Sequence, residues 1–182
     1  MMRMSSWIAK VEDIILRQLR GKSSEDWIID RLRARGARIG KNCRIHSRGF
    51  SNDLYLIDIG DHVAVASGTQ FVTHDGAAWL FRDKQPQIQL PGRIAVGNNT
   101  YIGLNCIILP NTAIGNNCII GAGSVVRGVI PDNSVVLGNP ARVVMSTSVA
   151  EKIMIHHKHR LDTLSVPAEE RERIIKAHFG LL

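Results

Sequence analysis

Aromatic residues are scarce in this chain, at 5% of 182 positions. They do not interleave with basic residues as they do on nucleic-acid surfaces, so no nucleic-acid partner is expected. No apolar run reaches the length needed to cross a bilayer. Met1 to Lys10 lacks an apolar block followed by small residues, which argues against a secretory leader. The three cysteines, Cys43, Cys106 and Cys118, are an odd number without metal-ligand spacing. They read as small core residues and fit a reducing, cytoplasmic setting. No His lies between His74 and His156, so the middle of the chain offers no three-His metal site. The hydrophobic fraction of 45% is ample for a core, and the length suits one domain with small appendages.

What the chain does have is a six-residue rhythm. Aliphatic residues fall at Val96, Ile102, Ile108, Ile114, Ile120 and Val126, and Gly follows four of them, at Gly97, Gly103, Gly115 and Gly121. The fifth place is Thr100, Cys106, Thr112, Cys118 and Ser124, then the larger Ile130. Six is neither the helical period nor plain strand alternation. It marks a parallel β-helix in which each coil pairs with the next. Three hexads close one triangular coil, so residues 18 apart stack at the strand spacing of roughly 4.8 Å. The aliphatic residue points inward, and the Gly permits close packing or an unusual backbone angle.

The rhythm appears earlier in another phase, at Ile39-Gly40, Ile45, Ile59-Gly60, Val65 and Phe71, and fails between Phe71 and Ile94. The excursion, residues 72–93, holds His74, Asp75, Trp79, Phe81 and Arg82. A long loop leaving a regular scaffold is a functional candidate. The ends read as helical caps over the open coil, residues 1–36 and 146–182, around a β-helix domain at 37–145. Trp7, Ile8, Val11, Ile14, Ile15 and Leu19 form one helical stripe, and Ser24 opens a second helix ending near Gly36. Ser146–Leu164 and Pro167–Phe179 read as two more. Trp7 with Arg3, Lys10, Arg17 and Arg20 leaves peripheral membrane contact open. His156 and His159 share a helix face without a carboxylate partner, which is weak ground for a metal. The net charge of +7 reads as scattered, solvated Lys and Arg, with a subset serving phosphate.

The run VGNNTYIGLNCIILPNTAIGNNCIIGAGSVVRGVIPDNSVVLGNPARVV, Val96 to Val144, resembles the C-terminal half of hexapeptide-repeat acyltransferases. FVTHDG, Phe71 to Gly76, resembles their active-site His at the start of a protruding loop. The most similar group contains the maltose, galactoside and xenobiotic acetyltransferases. Within it, LRARGARIGKNCRI and the THDG loop look most like enzymes that O-acetylate surface polysaccharides. The resemblance implies a left-handed β-helix, a homotrimer with intersubunit active sites, and acetyl-CoA as co-substrate without a metal. The left hand rests on resemblance alone, since the general crossover rule favours the right.

His74 is the catalytic residue in this reading. An imidazole accepts a proton near neutrality and would take it from an acceptor hydroxyl attacking the thioester. Adjacent residues in an extended segment point apart, so Asp75 either caps the loop or faces the acceptor. Asp53 and Asp58 fall in an irregular stretch, Arg48 to Asp58, and Asn52 or Asp53 is the family's candidate for acceptor binding. Trp79 and Tyr101 complete the acceptor side; Tyr101 replaces a Trp common in the family. For CoA, the resemblance implies Leu104 and Ala122 along the pantetheine arm and Arg142 at the phosphates. Arg127 lies at another corner near CoA, with Gly128 and Val129 where Lys-Asp is common. The expected function is O-acetylation of a sugar hydroxyl on a glycan acceptor. The alternatives are N-acetylation of an amino sugar or nucleotide amino sugar, antibiotic acetylation, and a non-catalytic scaffold. A zinc hydrolase of the γ-carbonic anhydrase type is disfavoured by the missing coil histidines.

Overall fold

The computed structural model describes residues 24–181. The chain winds as a parallel β-solenoid of about five turns. Its first face stacks Arg38–Ile39, Ile57–Ile59, Ile94–Val96, Thr112–Ile114 and Val129–Ile130. The second stacks Arg44–Ile45, Ala64–Val65, Tyr101–Ile102, Ile119–Ile120 and Ser134–Gly138, and the third Gly49–Phe50, Gln70–Phe71, Ile107–Ile108 and Val125–Val126. Inward residues stack in three columns, and the three-residue strands of the first face bury a second residue each, at Ile57, Ile94 and Thr112. Ile59, Val96, Ile114 and Ile130 form the first, and Ile45, Val65, Ile102, Ile120 and Val136 the second. Phe50 stacks on Phe71 in the third, rings 4.6 Å apart and 3° from parallel, and Ile108 and Val126 continue it. Thr100, Cys106, Thr112, Cys118 and Ser124 are all buried, as their place in the hexad predicts.

The corners divide two demands between two residues. At Gly97 a Cβ would stand 2.6 Å from the carbonyl of Gly115 in the next coil. Glycine is there for close approach, because its φ is not positive. The positive φ falls two residues later, on Asn99 (53°), Asn117 (55°) and Asn133 (60°). Asparagine tolerates this left-handed region better than other residues with a side chain. Its neighbours bond from coil to coil. The Oδ1 of Asn98 accepts from Asp61 N at 2.7 Å, that of Asn116 from Asn98 N at 2.8 Å, and that of Asp132 from Asn116 N at 2.8 Å. Backbone N–H groups that the turn leaves over are thereby satisfied.

The coils are not uniform. Asn98 and Asn116 are 18 apart, but Asn116 and Asp132 only 16. Ile130, expected at the fifth place, instead sits inward beside Ile114. Gly128, at φ 76°, turns the corner two residues early. The fifth turn does not complete the third face: Ser134–Gly138 doubles back on Ala141–Ser146 as an antiparallel hairpin.

Helix α1, Ser24–Ala34, packs on the first coil with Ile28, Ile29 and Leu32 buried beside Ala37 and Ile45. It stops in a Schellman motif: Ala37 N donates to Leu32 O and Gly36 N to Arg33 O, with Gly36 at φ 103°. The expected stripe from Trp7 to Leu19, with its basic residues, lies outside the described residues. From Ser148 the chain forms a second compact unit. Helix α2, Thr147–Ile155, is shorter than the expected Ser146–Leu164, and α3 spans Ala168–His178. Beyond Ile155 side chains take over backbone groups: His157 Nδ1 accepts from His159 N at 3.2 Å, which competes with helical bonding.

Asp58 was expected in an irregular stretch and stands instead on the strand Ile57–Ile59. It pairs with Arg38 and Arg93, which together cross the first two coils and the end of the excursion. The Arg38 hydrogen bond holds its carboxyl below the usual carboxylate range, against a smaller opposing effect of burial. Because the folded value is depressed, this stabilisation is present above the unfolded value of about 4 and lost as pH falls through the lower folded value. The melting-temperature gap between wild type and Asp58→Asn should therefore be widest near neutrality and close below pH 4; a pH-independent gap would remove the ion pair as its cause. Gly97→Ala should cost about 1–3 kcal/mol, since backbone on the next coil must move. Gly76→Ala, with open space around its Cβ site, should leave the urea midpoint nearly unchanged. Equal midpoints for the two variants would contradict the close-approach account.

Candidate active site

The excursion begins where Gln70–Phe71 ends its coil. Ser51, from the coil below, fixes the exit: its Oγ donates to Phe71 O at 2.8 Å and accepts from Thr73 N at 3.1 Å. Thr73 turns inward and is fully buried, and its Oγ1 has no partner among the described residues. His74, next in the extended chain, is exposed on the opposite side. Departing and returning strands then zip together. Gly92 N donates to Thr73 O at 2.7 Å and Asp75 N to Leu90 O at 2.9 Å, with His74 opposite Pro91. His74 thus sits on a short, hydrogen-bonded stem rather than a free loop. Gly92 is required here, since a Cβ would stand 2.6 Å from Pro110.

Beyond the stem, Gly76–Phe81 forms a 3-10 helix. Asp75 caps it, its Oδ1 accepting from Ala77 N at 2.9 Å. Of the two roles left open for Asp75, the structure supplies the cap, and the residue also borders the groove described next. Ala78 anchors the segment, while Trp79 is 71% exposed.

Strand stacking on the third face sets what His74 meets. Phe71 pairs with Ile108, and Ile108 with Val126, so the residues after those strands share one edge of the prism. They line an open groove of about 550 Å³ whose walls are His74, Asp75, Leu90, Pro110, Asn111 and Arg127, among others. Asn111 and Leu90 were not singled out from the sequence. In the sequence Pro110-Asn111 reads as a turn pair, and its place opposite the loop follows only from the register across the excursion.

The residues expected to hold CoA divide between two edges. Leu104 and Ala122 lie at the corner between the second and third faces, both exposed. They stack as their spacing predicts: Gly123 N donates to Leu104 O at 2.8 Å, and a Cβ on Gly103 would reach 2.6 Å from Ala122 N. Arg142 is on the closing hairpin opposite Leu137, whose side chain covers Gly121, so it belongs to the same end of this edge. Tyr101 is exposed on the second face. Arg127 is on the other edge, with His74. Within one chain the third face separates the two groups. Asn52 and Asp53 do not line the His74 groove; Asp53 accepts from the Tyr55 hydroxyl at 3.3 Å, and its charge pushes that phenol's pKa up.

Cys106 and Cys118 are buried, and burial pushes both thiols above their ordinary value. Neither is available as a thiolate nucleophile. Among the described residues no His, Cys, Asp or Glu group gathers as a metal-ligand set, and no helix is long and apolar enough to cross a membrane.

Residues 94–128 match the family described as bacterial transferase hexapeptide (six repeats). Protein CapG of Staphylococcus aureus is 45% identical over 125 residues, 67% of this chain and 73% of its own. The putative lipopolysaccharide biosynthesis O-acetyl transferase WbbJ of Escherichia coli K12 is 31% identical over 48% of this chain and 49% of its own. A solved galactoside acetyltransferase in complex with coenzyme A superposes with a TM-score of 0.53 at 30% identity, over 70% of this chain and 61% of that one. With its repeat, its stem-mounted loop and these relatives, the chain belongs to the hexapeptide-repeat family of bacterial transferases and is an acetyltransferase of that family.

Proposed function

We propose that this acetyltransferase moves the acetyl group of acetyl-CoA to a sugar hydroxyl, on a glycan or a glycan precursor, with His74 as general base. The observation that carries the reading is the mounting of His74. An exposed imidazole is fixed by backbone bonds on both sides of its stem, at the head of a groove that also holds Arg127 and Asn111. A general base must be held at one place relative to the hydroxyl it serves. The galactoside and lipopolysaccharide relatives favour oxygen on a sugar as the acceptor atom.

The acceptor O–H proton passes to the His74 imidazole as the oxygen attacks the thioester carbonyl. The tetrahedral intermediate carries its charge on the former carbonyl oxygen, where backbone N–H groups can receive it. Collapse breaks the carbon–sulfur bond, leaving an acetyl ester and the CoA thiolate, which takes the proton from the imidazolium. No enzyme acyl intermediate is required, in keeping with buried, protonated Cys106 and Cys118.

Leu104, Ala122 and Arg142 suit an extended arm ending in phosphates, and Arg offers a planar fork to phosphate oxygens. They lie on the edge away from His74, so a complete site needs the CoA edge of one copy beside the His74 edge of another. Threefold rotation of a triangular prism provides that arrangement three times. We therefore read the enzyme as a homotrimer with sites between subunits. The exposed apolar side chains of Leu104 and Ile107 along that flank support contact there.

Thiol release from acetyl-CoA across a panel of sugars, amino sugars, nucleotide sugars and hydroxylated antibiotics tests the reading. Turnover should appear with a hydroxyl acceptor and fall about 10²–10⁴-fold in His74→Ala, with CoA affinity and oligomeric state unchanged. Unchanged turnover in that variant would sink His74 as the base, and turnover confined to amines would replace O- by N-acetylation. Arg142→Ala should raise KM for acetyl-CoA roughly tenfold, the size of one charge-assisted contact, and leave kcat within twofold. An equal fall in kcat with KM unchanged would move Arg142 from phosphate binding to another role.

A further inference from the structure

Asn111 carries a side chain that its turn does not need. Its φ of 61° is left-handed, and glycine takes such an angle freely. Gly128 does so at the same corner one coil further on, at 76°. At another corner the left-handed side chains serve the fold: His62, Asn99, Asn117 and Asn133 meet one another from coil to coil. At the corner of Asn111 the next left-handed residue is Gly128, which has no side chain to continue such a ladder. The Asn111 side chain has no hydrogen-bond partner among the described residues. A carboxamide offers two N–H donors and one carbonyl acceptor, and here they remain unspent in the groove that holds His74.

The stem fixes where this amide lies. A Cβ on Gly92 would stand 2.8 Å from Asn111 Oδ1, so the amide rests against the stem. Gly92 follows Pro91, the residue opposite His74. His74 leaves the second coil and Asn111 the third, one strand spacing of roughly 4.8 Å further along the axis. On the other edge Leu104 is also in the third coil, Ala122 is in the fourth, and Arg142 is on the closing hairpin. With its phosphates at Arg142, the CoA arm runs back along the coils and brings its acetyl end to the Leu104 level. Rotation about an axis parallel to the solenoid moves no residue along that axis. Asn111 of one copy is therefore level with Leu104 of the next, at the acetyl end of the arm.

We propose that Asn111 is a second catalytic residue, whose Nδ2 donates to the carbonyl oxygen of the acetyl thioester. The proposal rests on the reading of His74 as base and of the site as shared between copies. As the acceptor oxygen bonds to the carbonyl carbon, the π pair moves onto the carbonyl oxygen. Nδ2 keeps its proton and stabilises that charge. When the carbon–sulfur bond breaks and its pair leaves on sulfur, the oxygen's pair re-forms the double bond. A fixed donor aimed at developing charge acts on the transition state more than on the bound thioester.

The test is isotope-edited infrared spectroscopy of acetyl-CoA, labelled with carbon-13 at the carbonyl and bound to the full chain without an acceptor. Asn111→Gly removes the amide and keeps the backbone angle. Asn111→Asp keeps the shape and exchanges the donor for an acceptor, and it carries the test should the first variant fail to fold. In both, the carbonyl band should move to higher wavenumber than in wild type, the mark of a lost hydrogen bond. With the acceptor that the thiol-release panel identifies, kcat should fall about 10²–10³-fold, with little change in KM for acetyl-CoA. A band that stays in place in both variants would overturn the proposal and leave the loss in His74→Ala standing. A raised KM for the acceptor with the band unmoved would do the same, making Asn111 an acceptor-binding residue. A wild type that shows no bound carbonyl would overturn the acetyl-CoA reading and this role with it.

Discussion

The structure depends on the approach of one corner to the next. Parallel strands a few residues long give little pairing of their own, so adjacent coils must meet backbone to backbone at every turn. Gly40, Gly60, Gly97 and Gly115 stand in one column, and a Cβ at each would stand 2.6 Å or less from an atom of the coil above. The left-handed angle that closes the turn falls on Asn42, His62, Asn99, Asn117 and Asn133 in the adjoining column. His62 Nδ1 lies 2.7 Å from Asn99 Oδ1, Asn99 Nδ2 donates to Asn117 Oδ1 at 2.9 Å, and Asn117 Nδ2 to Asn133 Oδ1 at 3.0 Å. Closeness permits these side-chain ladders, and the ladders fix the register. A slip by one residue would lose the column, the ladder and the inward aliphatics together.

Register in turn makes the groove. Nothing in the segment Val72–His74 specifies Asn111 or Arg127 as neighbours. They meet because Phe71, Ile108 and Val126 stack, and each chain leaves its strand at the same edge. The excursion is inserted at a corner, where strand order is undisturbed: the coils on either side pair as though the loop were absent. Ser51, Gly92 and the Arg93–Asp58 ion pair tie both ends of the loop to that frame. The tethered stem gives the imidazole its place, while Asp75 caps the 3-10 helix that follows.

The repeat was plain in the sequence because the inward places demand one residue type each. Leu104 and Ala122 could be stacked from spacing alone, and the buried places of Cys106 and Cys118 followed from the hexad. The failures have physical reasons. Ile130 was assigned to the wrong place because Gly128 shortens a corner, and a count that assumes constant length cannot detect a shortened turn. Asp58 looked irregular because the first coils run 20 residues rather than 18 (Arg38 to Asp58) and break the rhythm. The asparagine column was present as repeated Gly-Asn-Asn, yet glycine alone drew attention as the residue for unusual angles. Asn111 was out of reach, since its partner lay across an excursion of unknown register.

A triangular prism of regular coils is convex on every side. Its inward residues fill the core completely, and its faces are flat, so the scaffold by itself has no hollow for a substrate. Concavity must come from outside the repeat. The loop supplies one wall, folding back over the third-face edge to make the His74 groove. The other group of residues, Leu104, Ala122 and Arg142, meets no such loop among the described residues of the coils. A pantetheine arm laid along that open corner would be half in water, with only backbone and one guanidinium to hold it. A second copy beside it would close the corner and bring a His74 edge to the thioester at the same time. In the homotrimer proposed above, the convexity that leaves this corner open is thus the physical argument for placing catalysis between copies.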